Sequence, residues 1–525
     1  MAGSPIAKNK KKSDSIFAAA GMAKTIKTIC DEIRELYLQD AVPWVIGYSG
    51  GKDSTAVVQL VWLAIRDLPP DKRQKTIHVI STDTRVEQPV VATWVDGSHA
   101  KMREATQEQG IPIVSHKLLP DIKDTFWVNL IGRGYPAPRK LFRWCTERMK
   151  IHPSNKFIRD VVRQYGEAIL LLGTRKKESQ RRLVTMEKHE ENRSRRFAEP
   201  RERLTPNAKL PNSLIYTPIE DWSNDDVWLF LMQVKNPWGY TNKSLLTMYQ
   251  GASADGECPL VLDSSTPSCG DSRFGCWVCT LVDKDRSMEA MIKNDEEKVW
   301  MTPLLELRNE LGNFSLERTR RDYRRMDGRV QLFSDNRLIV RGPYRKKWRE
   351  HWLRRVLEAQ TKVRRLSPAD VQNLELISME ELHEIRRIWL YEKRQFDDTV
   401  PVIYEEVTGE QFPKSASDDG LLRRDDWSIL QEICGEDEEF FELQAQLLDI
   451  EREYRGMARR AGVFEALDER FRAYQYGGEE AAIAIRQNQE ERRGKTVIHD
   501  GHRLPEPQRY PFDAADTESA AEATS

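Results

Sequence analysis

No stretch of this chain stays apolar for the roughly 20 residues that a bilayer-spanning helix needs. Its lysine-rich start, Lys8 to Lys12, is not followed by the apolar segment of a secretory signal. These two absences predict a soluble, cytoplasmic protein with no membrane partner. Net charge is nearly missing as well, with 82 Lys+Arg against 83 Asp+Glu. The charges come in blocks, however, so the small sum excludes neither basic nor acidic binding surfaces. Cysteine is scarce and odd in number, seven in 525 residues, which argues against a disulfide framework and for metal or thiol chemistry. No internal repeat is evident, and the length allows roughly two or three domains with separate cores.

What is present is organised around Trp44 to Leu63. A short apolar run with Val45 and Ile46 stops at Ser49-Gly50-Gly51, and a helical pattern follows, with Val57, Leu60, Val61 and Ala64 on one face. Strand, glycine turn and helix together make a phosphate cradle. Paired glycines let backbone amides converge, and the helix adds its unsatisfied N-terminal amides. Lys52 supplies a positive charge, and Ser49 and Ser54 supply hydroxyls. Asp53 either orients Lys52 or a metal-bound water, or complements the charge of the helix N-terminus. The spacing is not that of the ordinary P-loop. Ser49-Gly50-Gly51-Lys52-Asp53-Ser54 instead resembles Ser-Gly-Gly-x-Asp-Ser, the signature of the PP-loop ATP pyrophosphatase superfamily. The resemblance implies ATP cleaved between its α and β phosphates, with Mg²⁺, to adenylate a substrate oxygen.

Further apolar runs at Thr76 to Ser81, Ile111 to Val114 and Ala168 to Leu172 alternate with helical segments. The order predicts an α/β fold with a doubly wound, mainly parallel sheet, and the PP-loop resemblance implies the adenine nucleotide α-hydrolase-like form of it. Asp83, just after the second strand, falls where such sheets bind ligands. Arg143 to Pro153 resembles the Cys-Thr-x-x-x-Lys-x-x-Pro segment of the sulfate-activation and phosphoadenylylsulfate reductase branches, and Gly173 to Arg182 resembles their Gly-x-Arg-x-x-Glu-Ser-x-x-Arg loop. Arg175 and Arg182 are the candidates for stabilising charge on phosphate.

Four cysteines, Cys258, Cys269, Cys276 and Cys279, crowd a Gly-, Pro- and Ser-rich stretch with no histidine among them. This predicts a metal site, zinc or iron–sulfur by spacing alone. With these segments in this order and a long charged helical extension, the chain resembles the DndC family, the sulfur-inserting proteins of bacterial DNA phosphorothioation. That resemblance implies a 4Fe-4S cluster on the four cysteines, and DNA, a cysteine desulfurase and other phosphorothioation proteins as partners. It also implies sulfur replacing a non-bridging oxygen of the DNA backbone. Cys145 is then a sulfur relay or a competing ligand, and Arg143, Arg148 and Lys150 nearby favour its thiolate. The Glu-Cys-Gly-Leu-His motif of assimilatory reductases is missing. An iron–sulfur tRNA thiolase, a phosphoadenylylsulfate reductase-like enzyme and a nucleotide-binding scaffold are the alternatives.

The expected domains are a disordered basic leader (1–22), the PP-loop domain (23–250), the cysteine-rich segment (251–290), a charged helical domain (291–476) and a disordered tail (477–525). Within the fourth, Arg318 to Arg325 and Arg341 to Arg355 interleave cations with aromatics, and Arg329 to Val340 reads as a hairpin turning at Asp335-Asn336. Both cationic runs are expected to touch nucleic acid.

Overall fold

A computed structural model describes residues 15–140, 142–178, 203–252, 274–333, 338–369, 371–395, 397–413, 424–435, 437–455 and 460–497. Contacts divide the chain into two compact units. The first takes residues up to 120, 149–277 and 285–299, and the second takes 121–148, 278–284 and the chain from 300 onward.

The first unit is built on strands β1 (Trp44–Gly47), β2 (Ile77–Thr82), β3 (Ile113–Leu118), β4 (Ala168–Leu171), β5 (Thr205–Pro206) and β6 (Ser213–Tyr216), in the order β3-β2-β1-β4-β6-β5. All pairings are parallel except β5 with β6. Alternate residues of the central strands feed two separate cores, as the pleat requires. Trp44, Ile46, Ile169 and Leu171 enter one, whereas Val45, Ala168 and Leu170 enter the other with Ile158 and Val161. Helices therefore cover both faces: α1 (Met22–Gln39), α2 (Lys52–Arg66), α3 (Pro89–Gln109), α4 (His152–Tyr165), α5 (Asn224–Gln233), α6 (Asn242–Gly251) and α7 (Arg286–Asn294). The mainly parallel α/β architecture expected from the strand–helix alternation is the one observed. Inside it, the fully buried Gln59 of α2 donates to Val234 O (2.9 Å) and accepts from Asn242 Nδ2 (3.1 Å), so its amide is satisfied without water.

The second unit packs helices α8 (Thr302–Leu311), α9 (Lys346–Leu366), α10 (Met379–Arg387), α11 (Thr399–Thr408), α12 (Arg424–Cys434), α13 (Glu438–Arg455), α14 (Val463–Ala473) and α15 (Glu479–Val497). Helix α9 is its spine, burying Trp352, Leu353, Val356, Leu357 and Val363. No helix among the described residues is long and apolar enough to cross a membrane.

Several expected boundaries move. Ordered contacts begin at Ser15, where its hydroxyl and the Ile16 amide bond Asp226, and Phe17 packs edge-on against Trp222 at 5.3 Å. The leader expected through residue 22 thus includes ordered chain, while residues 1–14 lie outside the described residues. Asp121–Arg148, placed by sequence in the nucleotide domain, belongs to the second unit. Trp127 Nε1 donates to Leu376 O (2.7 Å), Trp389 Nε1 to Ile131 O (3.0 Å) and the Tyr344 amide to Gly134 O (2.7 Å). The tail expected to be disordered from 477 contains α15. Arg341 grips both oxygens of Glu479, and Ala482 packs with Tyr323, Val330 and Ile339. Backbone bonds from Val340 to Gln331 and from Phe333 to Leu338 form the expected hairpin, whose turn lies outside the described residues.

His78 on β2 and His116 on β3 stand 3.0 Å apart, and His99 of α3 bonds Ser81 Oγ at 2.7 Å. Burial, with repulsion from His116, pushes His78 down from 6.5 to about 4. Burial also drives His99 down to about 4, with Arg103 assisting. The unfolded chain then binds more protons than the native one between about 4 and 6.5, so stability rises with pH across that window. Urea midpoints measured at pH 5 and pH 7 should differ in favour of pH 7. The double variant His78→Gln, His99→Gln should flatten the difference.

Candidate functional site

The sheet reverses its winding between β1 and β4. From β1 the chain goes on to β2 and β3 on one side, while β4 and β6 lie on the other. Loops leaving the carboxyl ends of β1 and β4 therefore diverge and open a crevice.

The loop after β1 fills that crevice with backbone. Gly50 has φ +73°, and a Cβ there would lie 2.4 Å from Val95 Cγ2, so only glycine fits. Trp94 Nε1 holds its carbonyl at 3.0 Å. Gly51 is the N-cap of α2 and no side chain caps the helix, which presents its first-turn amides as an anion site. Ser54 braces the turn: its hydroxyl accepts from the Ser49 amide (3.2 Å), donates to Gly51 O (3.0 Å) and lies 3.2 Å from the Ser49 hydroxyl.

Asp53 takes a cation on each oxygen. Lys52 Nζ donates to Oδ2 at 3.2 Å, and Arg175 Nε, from the loop after β4, to Oδ1 at 2.7 Å. Arg175 is only 4% exposed, and its Nη1 also reaches Trp222 O at 3.3 Å. Its guanidinium therefore clamps the two loops from below, where sequence had aimed it at phosphate. Arg182 lies outside the described residues. Three neighbours escaped the sequence reading. Tyr249 places its ring 5.6 Å from Lys52 Nζ, Trp94 steadies the glycine turn, and Gly173 passes so close that a Cβ would meet the Asp53 carbonyl carbon at 2.9 Å. Only Gly173 carried a signal, inside the Gly-x-Arg segment.

Asp83 ends β2 with its carboxylate on Lys117 Nζ (2.9 Å) and the Arg85 amide (2.8 Å). The chain beyond it meets the cysteine-rich segment. Glu87 and Cys276 form a backbone bridge, with Trp277 N to Val86 O at 3.0 Å and Gln88 N to Gly275 O at 3.3 Å. The Cys276 sulfur lies 3.4 Å from Thr84 Oγ1 and 3.8 Å from Glu87 Oε1, and Lys150 pairs with Glu87 at 3.0 Å.

In the second unit, burial raises the Cys145 thiol pKa, and negative charge on Cys279 adds to the rise, so these thiols are within electrostatic reach of each other. The expected thiolate is thereby corrected. Arg148 is spent on Asp124 (2.7 Å) and the Tyr135 hydroxyl (3.2 Å), Arg143 on Lys140 O (3.1 Å), and Lys150 on Glu87. Arg308 Nε holds the Cys279 carbonyl at 2.9 Å. Cys145 and Cys279 form no disulfide among the described residues. Cys258 and Cys269 lie outside the described residues, and no group of three or more His, Cys, Asp or Glu side chains among the described residues is set to hold a metal ion. The soft thiols that are described fit an iron–sulfur or zinc centre by donor chemistry.

The cationic runs of the second unit are mostly turned inward. Arg320 is buried over Trp348 and Trp352 (4.8 and 5.1 Å), Arg321 pairs with Glu317, Arg324 with Asp322, and Arg355 with Glu310 and Glu358. A helical unit of this composition satisfies many of its guanidiniums internally, while Arg318, Arg345 and Lys347 of the two runs stay exposed.

Residues 43–238 match the model of the phosphoadenosine phosphosulfate reductase domain. An uncharacterized protein of Methanocaldococcus jannaschii is 24% identical over 269 residues, 51% of this chain and 42% of its own length, so the match spans less than half of that relative. The U34-tRNA thiolase NcsA from Methanococcus maripaludis with its 4Fe-4S cluster aligns over 57% of this chain and 81% of its own, at 15% identity and a TM-score of 0.24, a likeness too slight to assign fold or function.

Gly50→Ala should weaken ATP binding by more than about tenfold, because the left-handed turn and the Val95 contact both resist a methyl group. Calorimetric titration with a non-hydrolysable ATP analogue measures it. Unchanged affinity would place the nucleotide elsewhere.

Proposed function

We propose that residues 43–238, a PAPS reductase-family domain of the PP-loop superfamily, work within an ATP-dependent sulfurtransferase that puts sulfur into the DNA backbone. The observation that supports this most is the backbone bridge between Glu87 and Cys276. It sets a thiol-bearing segment against the loop that leaves the carboxyl end of β2, on the same edge of the sheet as the glycine cradle after β1. A nucleotide site and a sulfur site share one sheet edge.

The uncapped start of α2, Ser49 and Ser54 receive the nucleotide phosphates, and Lys52 supplies mobile charge as pyrophosphate leaves. Mg²⁺ arrives on the phosphates themselves, since Asp53 and Asp83 already hold Lys52, Arg175 and Lys117. A non-bridging DNA oxygen attacks the α-phosphorus, forming a P–O–P link and expelling pyrophosphate. Sulfur carried as a persulfide, with Cys145 as the candidate carrier, then attacks the DNA phosphorus, and AMP departs with the former backbone oxygen. A second thiol attacks the carrier sulfur, closing a disulfide and freeing the phosphorothioate. Cys258, Cys269, Cys276 and Cys279 would hold a 4Fe-4S cluster, which would supply redox chemistry with an external reductant, while a cysteine desulfurase supplies the persulfide sulfur.

Burial of Cys145 makes the loading of this carrier pH-dependent. The thiol must ionise to take the outer sulfur of a donor persulfide, and its raised pKa makes that faster as pH climbs, so sulfur incorporation should increase on the alkaline side of pH 7.

The first test is anaerobic incubation with ATP, with and without duplex DNA or tRNA, separating AMP from ADP. AMP and pyrophosphate are expected, stimulated by DNA over tRNA, and reduced about a hundredfold in Ser49→Ala and Asp53→Ala. ADP and phosphate would contradict adenylation, and stimulation by tRNA alone would move the substrate to RNA. Cys145→Ser should keep ATP cleavage and lose sulfur incorporation.

A further inference from the structure

The second unit holds a cavity of about 990 Å³, at the upper end of the roughly 300–1,000 Å³ range of small-molecule sites. Its wall includes Arg345, which precedes α9, and the first turn of that helix through Glu350, together with residues 392–395 and parts of α13 and α14. No side chain caps α9, a helix of 21 residues.

Cations gather on this wall in a way that folding alone does not favour. Arg349 is 4% exposed, and its Nη1 is buried without a hydrogen-bond partner among the described residues. Its guanidinium lies 5.2 Å from the Trp389 ring, an apolar neighbour that leaves the donor unsatisfied. Burial pulls Arg349 down to about 10 despite Glu442, Glu350 and Asp397 nearby. Burial also pulls Lys393 down to about 8, and the charge of Arg349 is the next cause. Two cations thus repel each other across the same cavity. Arg324 spends Nε and Nη2 on Asp322 (3.1 and 3.0 Å) and leaves a second buried donor, Nη1, unsatisfied. The neighbouring carboxylates do not cancel this. Glu350 and Asp397 are engaged by Lys346, and burial raises the pKa of Glu442.

Leaving a buried charged donor unmet is costly, and an anion between Arg349 and Lys393 would remove both the orphan and the repulsion. We propose that this cavity binds the phosphate of a nucleotide, with Arg349 and Lys393 on the anion, the first turn of α9 beside it, and exposed Arg345 and Lys347 at the rim. The size of the cavity fits a whole nucleotide better than a bare ion, and Trp348 and Tyr474 give part of its wall an aromatic character. The ligand is either a free mononucleotide or one unit of a single nucleic-acid strand, which share this chemistry. None of the residues assigned to ATP takes part, so the site stands apart from the sulfur-transfer reading.

The test is calorimetric titration of the full chain with AMP, alongside anisotropy of a labelled single-stranded DNA oligonucleotide competed by AMP. In a Gly50→Ala background, where the glycine cradle is weakened, Lys393→Gln and Lys347→Ala should each weaken the remaining AMP-binding event about tenfold, and with Gly50 intact neither should change AMP binding at the cradle. Displacement of the oligonucleotide by AMP in wild type but not in Lys393→Gln identifies a strand as the source, and AMP binding without oligonucleotide binding identifies a free nucleotide. Wild-type affinities in both lysine variants would overturn the proposal. So would an Arg349→Met variant that folds, gains thermal stability and binds as before, since the buried cation would then be structural. If the glycine cradle binds nothing, the cavity should still take one AMP, which separates this inference from the ATP reading.

Discussion

Asp53 holds the candidate site together by receiving Lys52 and Arg175 on separate oxygens. Lys52 opens α2 directly after the β1 loop and Arg175 lies in the loop after β4, so one carboxylate joins the two chain exits that bound the crevice. Removing one partner of a buried ion pair strands the other, at about 3–5 kcal/mol. Arg175, 4% exposed, cannot recover that loss from water. Gly173 follows from the same constraint, because the β4 exit must pass within contact of the Asp53 backbone for the guanidinium to reach.

The thiols are arranged by the same economy of cations. Glu87 carries the backbone bridge to Cys276, accepts from Thr84 Oγ1 at 2.9 Å and pairs with Lys150. That leaves Cys145 without the lysine its sequence neighbourhood promised, and burial decides its protonation instead. A buried thiol with a raised pKa is better guarded against adventitious oxidation than an exposed thiolate.

Much of the nucleotide unit was legible in sequence. The apolar runs marked four of its strands, and Ser49 to Ser54 marked a turn whose glycines, serines and uncapped helix are all where the motif implied. The short edge strand β5 and its neighbour β6 were not marked. Charge fared worse, for a physical reason: sequence shows that cations cluster but not which way they point. Arg175, Arg148 and the Arg318 to Arg355 runs all read as available, yet pairing and burial consume most of them. Long-range contacts were equally hidden. Nothing local announces that Trp127 bonds Leu376 or that Glu479 anchors a final helix to Arg341. The positions of Arg182, Cys258 and Cys269 lie outside the described residues.

In the proposed function, one sheet edge couples nucleotide activation to sulfur transfer onto a DNA phosphate. The most direct measurement is to supply radiolabelled sulfur through a cysteine desulfurase and cysteine, with the protein, ATP and duplex DNA. The DNA is then digested with nuclease, and label is sought in the resistant dinucleotides. The account predicts ATP-dependent label in phosphorothioate dinucleotides. Label that enters without ATP, or that reaches tRNA bases and never the DNA backbone, would contradict it.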